Sequence, residues 1–187
     1  VGFQAMRSAG TPNNNDAAQN VAVGSKALTA ILDGDSNVAV GYLAGAAITT
    51  GGNNVIIGKE AGDGFTANTT MTLIGSEAGT TINSNNANGT VAVGYQSLGD
   101  LTSGATNTAL GSKSGDAATT SSGSVFLGFD AGGTVTTGNQ NIAIGLDSMN
   151  GGATTGDNNI AIGASAGDAL TSAYQNVLIG RNAGGSI

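Results

Sequence analysis

The chain has 187 residues, of which 33 are glycine and one is proline, with no cysteine, histidine or tryptophan and a formal net charge of -7. Without cysteine or histidine there is no disulfide framework, thiol nucleophile, imidazole base or Cys/His zinc site, which removes most familiar catalytic constellations. Five basic residues (Arg7, Lys26, Lys59, Lys113, Arg181) cannot neutralise a run of phosphates, so no nucleic-acid partner is expected.

Along the chain, short apolar strands recur, each ending on glycine: Asn37-Val38-Ala39-Val40-Gly41, Asn141-Ile142-Ala143-Ile144-Gly145 and Asn159-Ile160-Ala161-Ile162-Gly163. Taking that glycine as an anchor gives Gly2, Gly24, Gly41, Gly58, Gly75, Gly94, Gly111, Gly128, Gly145, Gly163 and Gly180, at intervals of 22, 17, 17, 17, 19, 17, 17, 17, 18 and 17 residues. So short a period predicts stacked coils, because one coil is too small to bury an apolar face alone. The expected fold is all-β: a parallel β-roll or β-solenoid of about seventeen residues per coil, one repeat array over 1–187. Ten intervals at about 4.8 Å make a rod of roughly 50 Å. The chain opens on Val1-Gly2, the tail of a strand, and stops inside a coil at Ile187, so it reads as a fragment of a longer fibre chain. No run is apolar enough to span a bilayer as a helix.

Within a coil, the residue three before the anchor is β-branched in all ten complete cases, from Val21 to Val177, and the residue just before the anchor is Val, Ile or Leu. These share one strand face. The residue between them, also apolar, points the other way: Ala22, Ala39, Ile56, Leu73, Ala92, Ala109, Phe126, Ala143, Ala161 and Leu178. Both faces therefore call for cover, one from the coil's own second half and one from another chain. The small middle residues Ala22, Ala39, Ala92, Ala109, Ala143 and Ala161 are expected to line that contact between chains. Seven residues after the anchor an apolar residue returns (Ala9, Ile31, Ile48, Phe65, Ile82, Leu101, Ala118, Val135, Leu170, with Gly152 the exception), predicting a second, one-sided strand per coil. Ala or Ser stands three after every anchor, where only a small side chain fits as the turn folds over the coil beneath.

Four residues before the anchor stands Asn in seven of ten coils: Asn20, Asn37, Asn54, Asn107, Asn141, Asn159 and Asn176. Stacking places these amides in a column about 4.8 Å apart, able to bond one another and the turn backbone.

The pattern Asn-x-Val-Ala-Ile/Val-Gly with Ala or Ser three residues on resembles the head repeats of trimeric autotransporter adhesins (YadA-like heads), and does so over essentially the whole chain. The resemblance implies a left-handed parallel β-roll in which three chains associate in parallel. The coils here run to about seventeen residues where those heads use about fourteen, and their Thr-Gly-Asn-Asn-type outer turns look more like repeats of phage tail fibres and related virion appendages. Such a fibre segment would extend from a virion or cell surface, extracellular, and support attachment to a cell-surface glycan or protein receptor.

Candidate chemistry is sparse. Glu60 and Glu77 each lie two residues after an anchor in adjacent coils and could stack as paired carboxylates, the basis of a tailspike reading, but Lys26, Lys113, Asp130, Asp147, Gln4 and Gln96 occupy the same register. Asp33-Gly34-Asp35 and Asp63-Gly64 lack a calcium-binding repeat around them. No catalytic, cofactor or metal site is assigned, and the chain reads as non-enzymatic. Thr49, Thr66, Thr102, Thr119, Thr136 and Thr171, eight residues after the anchor, suggest an ice-binding alternative. Phe3, Tyr42, Tyr95 and Phe129, just after the anchor, form a sparse aromatic column suited to subunit contact. The excursions Thr11 to Ala18 and Asn83 to Gly89 are the recognition-loop candidates, and the glycosylation sequons Asn68-Thr69-Thr70 and Asn88-Gly89-Thr90 are expected by chance in a chain so rich in Asn and Thr.

Overall fold

A computed structural model of the chain describes residues 2–7 and 17–185. Ten three-residue strands follow one another among these: β1 (Val21–Val23), β2 (Val38–Val40), β3 (Val55–Ile57), β4 (Thr72–Ile74), β5 (Val91–Val93), β6 (Thr108–Leu110), β7 (Val125–Leu127), β8 (Ile142–Ile144), β9 (Ile160–Ile162) and β10 (Val177–Ile179). They form one parallel sheet in sequence order, so each strand pairs only with its chain neighbours. This is the β-solenoid read from the anchor spacing.

The register is the same at every step. Val21 pairs with Val38, Val38 with Val55, Val55 with Thr72 and Thr72 with Val91, always matching equivalent positions of the repeat. The 19-residue and 18-residue intervals do not disturb it, because Thr72 pairs with Val91 and Ile142 with Ile160 at the same repeat positions as elsewhere. The ladder runs past the strand: Gly41 N donates to Val23 O at 2.8 Å and Leu43 N to Ser25 O at 3.0 Å.

Four residues per coil take positive φ, and they turn the chain around the coil. Five before the anchor stand Gln19 (φ 60), Ser36 (φ 57), Asn53 (φ 59), Thr70 (φ 59) and their equivalents; the anchor itself follows, then the residues two and four after it. Anchor φ values run from 121 to 143 between Gly24 and Gly180, a region open to glycine alone. The anchor also needs room. A Cβ on Gly111 would sit 2.6 Å from the carbonyl carbon of Gly128 in the next coil, closer than any real contact.

The expected second strand does not form. Instead of a ladder, three successive amides converge on one carbonyl: Leu32, Asp33 and Gly34 all donate to Thr49 O, at 2.9, 3.0 and 3.1 Å, and Thr49, Thr50 and Gly51 to Thr66 O. Convergent bonding bends the backbone into an arc, and among the described residues only the isolated bridge Val135–Thr154 has strand character there. The side chains still point as expected: Ile31, Ile48, Phe65, Ile82, Leu101, Ala118, Val135 and Leu170 are buried. Ala9 lies outside the described residues.

The core is a single column inside the coils. Its filling follows a size rule between the middle strand residue and the residue four after the anchor. Large middle residues lie between glycines: Ile56 between Gly45 and Gly62, Leu73 between Gly62 and Gly79, Phe126 between Gly115 and Gly132. Where the later position is large (Leu28, Leu98, Met149), the middle residues of that coil and the next are alanine: Ala22 and Ala39, Ala92 and Ala109, Ala143 and Ala161. The two positions share one interior volume, and close packing limits the sum.

Candidate functional site

The size rule overturns one expectation. Ala39, Ala92, Ala109, Ala143 and Ala161 are fully buried within a single chain, and Ala22 packs against the same core, so these residues face the coil interior and cannot line a contact between chains. The flanking aliphatic residues face outward instead. Val21, Val23, Ile57, Leu110, Leu127, Val177 and Ile179 are exposed, and most of their equivalents are half-buried. The faces were exchangeable in the strand pattern alone, since both are apolar. The missed signal was the pairing of large middle residues with glycine a coil-turn away, which places that residue inside.

The outward face is the principal candidate site. It consists of two columns, three before and one before the anchor, holding twenty side chains over ten strands, of which eighteen are Val, Ile or Leu and none is charged. Beside it runs the column just after the anchor, where Phe3, Tyr42, Tyr95, Phe129 and Leu146 are exposed, Phe129 to 52%. Nine coil steps of about 4.8 Å, and about 7 Å between the two columns, make an uncharged strip on the order of 300 Å², whereas the third column also holds Lys59 and Arg181. Contiguous apolar patches of that size mark interaction surfaces.

The asparagine column is a hydrogen-bonded ladder. Asn37 donates through Nδ2 to Asn20 Oδ1 at 3.1 Å and to Gly51 O at 2.9 Å, and through its backbone N to Asn20 Oδ1 at 2.8 Å. Asn54 repeats the pattern on Asn37 and Asn68 O, and Met71 N then donates to Asn54 Oδ1. The ladder lapses at Met71 and Thr90, whose buried hydroxyl has no partner. It resumes at Asn107 and passes through Ser124 to Asn141, Asn159 and Asn176. These side chains are committed to backbone and to each other, which is a structural role.

The carboxylates divide differently from the sequence expectation. Glu60 pairs with Lys59 at 3.2 Å and Glu77 accepts from Gln96 Nε2 at 2.8 Å, both half-buried on the turn. Asp63 and Asp116, five after their anchors, are the two acids among the described residues held above the ordinary aspartate range, chiefly by burial. The Thr80 hydroxyl, bonded to Asp63 at 3.0 Å, opposes the rise there, whereas the Asp130 and Asp100 charges add to it at Asp116. Asp116 lines a shallow polar hollow with Thr80, Gln96, Gly99 and Asp100. Among the described residues no group of three or more acidic side chains is placed to hold a metal ion.

The threonine column is not a free array of hydroxyls. Thr49, Thr102 and Thr119 donate to the carbonyls of Thr66, Thr119 and Thr136 at 3.2, 3.0 and 3.2 Å. Asn68 is fully buried, closing that sequon, while Asn88 is exposed in the outer excursion, its Oδ1 accepting from Thr69 N at 2.8 Å. Of the Thr11 to Ala18 loop only Ala17 and Ala18 lie within the described residues. No helix among these is long and apolar enough to cross a membrane. Compared with family models, characterised proteins and solved structures, the chain gives no significant match.

Proposed function

We propose that the chain is a non-enzymatic fibre segment, working as a parallel assembly of three copies that extends from a virion or cell surface and supports attachment to a glycan or protein receptor. The observation that carries this reading is the uncharged aliphatic strip along the full length of the rod. A solvated strand face would alternate with polar residues, whereas twenty positions without a charge call for cover. Cover by like copies accounts for the strip's uniform length and repeat. The parallel orientation, the number three and the extracellular setting come from the resemblance to adhesin heads and tail fibres. Receptor contact falls to what an assembly would leave outside: the convergent-amide arc and the Asn83 to Gly89 excursion.

Sedimentation equilibrium tests the assembly directly. The expected mass is three times 17.9 kDa, and Ile144→Asp with Ile162→Asp should reduce it to that of one chain, because desolvating unpaired carboxylates costs several kcal/mol. A native chain that sediments as a stable monomer at micromolar concentration would sink the reading.

A further inference from the structure

We propose that Thr72 and Thr108 set the axial register in which copies of this chain pack, an inference that rests on the parallel assembly proposed above. On the outward strip they are the two polar side chains among twenty, both in the column three before the anchor, in β4 and β6. Thr108 is exposed and Thr72 partly so, and neither hydroxyl is hydrogen-bonded among the described residues.

The remaining eighteen positions discriminate poorly between alignments. They are Val, Ile and Leu repeating at one coil spacing, so sliding one copy by a coil replaces aliphatic contacts with similar ones. A uniform strip thus has a register problem of the kind met by flat, repetitive strands. The threonines resolve it. When copies lie parallel and level, each Thr72 meets the Thr72 of its neighbours and each Thr108 meets Thr108, so hydroxyls donate to and accept from one another where water is excluded. A slip of one coil puts Thr72 beside the level of Val55 or Val91 and Thr108 beside Val91 or Val125, and both hydroxyls are orphaned. A slip of two coils matches one Thr72 with a Thr108 and orphans the others. Buried hydroxyls left without partners penalise every alignment but the level one. The logic is that of a lone polar residue in a coiled-coil seam, which fixes register at some cost in stability.

Cysteine cross-linking reads the register, since the chain has no cysteine of its own. Chains carrying Val55→Cys or Ile57→Cys are oxidised alone, or mixed with chains carrying Val21→Cys or Val23→Cys two coils away. A disulfide spans about 4.4–6.8 Å between Cα atoms, so level copies link like to like and not across two coils. In the Thr72→Val, Thr108→Val double variant the mass should stay that of the native assembly while cross-links between different coils rise at least about tenfold, the factor set by one of the hydroxyls that a two-coil slip orphans. Retained mass with the native cross-link pattern would overturn the register role alone. Cross-linking of Val55→Cys with Val125→Cys chains, in place of like with like, would reveal an antiparallel arrangement and overturn it too. A native monomer would overturn the assembly reading and this inference with it.

Discussion

Exchanging bulk between Phe126 and Gly132 tests whether the middle strand residue and the residue four after the anchor share one interior volume. Phe126 is fully buried, and Phe126→Ala alone should cost about 3–5 kcal/mol through lost transfer energy and the cavity left behind. A Cβ on Gly132 would lie 2.9 Å from Phe126 Cγ and nearer still to two other ring atoms. Gly132→Leu alone should therefore cost roughly 1–3 kcal/mol in overpacking, with about 1–2 kcal/mol more for a leucine at φ 70. In the double variant the introduced leucine lies between the introduced alanine and Ala143, as Leu98 lies between Ala92 and Ala109, and Leu98 already holds φ 50. The clash vanishes and the cavity is filled, so the double should cost less than the sum of the two single changes, with a favourable coupling of about 2–3 kcal/mol. Guanidinium unfolding at one fixed protein concentration measures the four proteins, and hydrogen exchange at coil-interior amides checks that the change is local, since a repeat array need not melt in one step. Costs that add to within about 0.5 kcal/mol would refute the shared-volume argument.

Asn141→Ala removes the partners of Gly156 O and Asn159 N, both buried, and should cost about 2–5 kcal/mol by denaturant unfolding, with faster exchange at the Asn159 amide. Gly111→Val should disrupt the roll locally, seen as lost exchange protection in the coils of Gly111 and Gly128, because both its φ of 143 and the Gly128 carbonyl exclude a β-branched side chain. Asp63 and Asp116 have folded pKa values above their unfolded ones, so the folded chain binds the proton more tightly; their contribution is complete below about pH 3.9 and is lost as pH rises through the raised values. Asp63→Asn with Asp116→Asn should therefore flatten the fall in stability as pH rises above the ordinary aspartate range, as thermal unfolding over a pH series would show. Glu60→Gln with Glu77→Gln should leave thermal stability within about 1 kcal/mol of the parent, since each glutamine keeps an amide oxygen to accept a hydrogen bond and only the Lys59 ion pair is lost, and a polysaccharide-cleaving activity lost on this change would make the chain an enzyme.

The coil period, the one-strand-per-anchor rule and the asparagine ladder were legible in the sequence, because each rests on short-range geometry repeated ten times. An anchor glycine recurring behind Val-Ala-Val or Ile-Ala-Ile has few explanations other than stacked turns, and stacking alone brings Asn37 onto Asn20 and Asn159 onto Asn141. Three things needed the tertiary structure. Which strand face is interior was undetermined, since Ala143 and Ile144 are both apolar; the position of the return arc decides it, putting Phe126 against Gly115 and Gly132 and leaving Leu127 outside. The arc's lack of strand character follows from amides of Leu32, Asp33 and Gly34 sharing one carbonyl, a backbone geometry no side-chain pattern encodes. Left-handed φ at Lys26, Glu60, Leu98 and Asp130 was hidden for the same reason, because the coil imposes the conformation and the residue types only tolerate it. Local repetition thus set the rod and its spacing, whereas closure of each coil in three dimensions set inside, outside and the strip that a partner would cover.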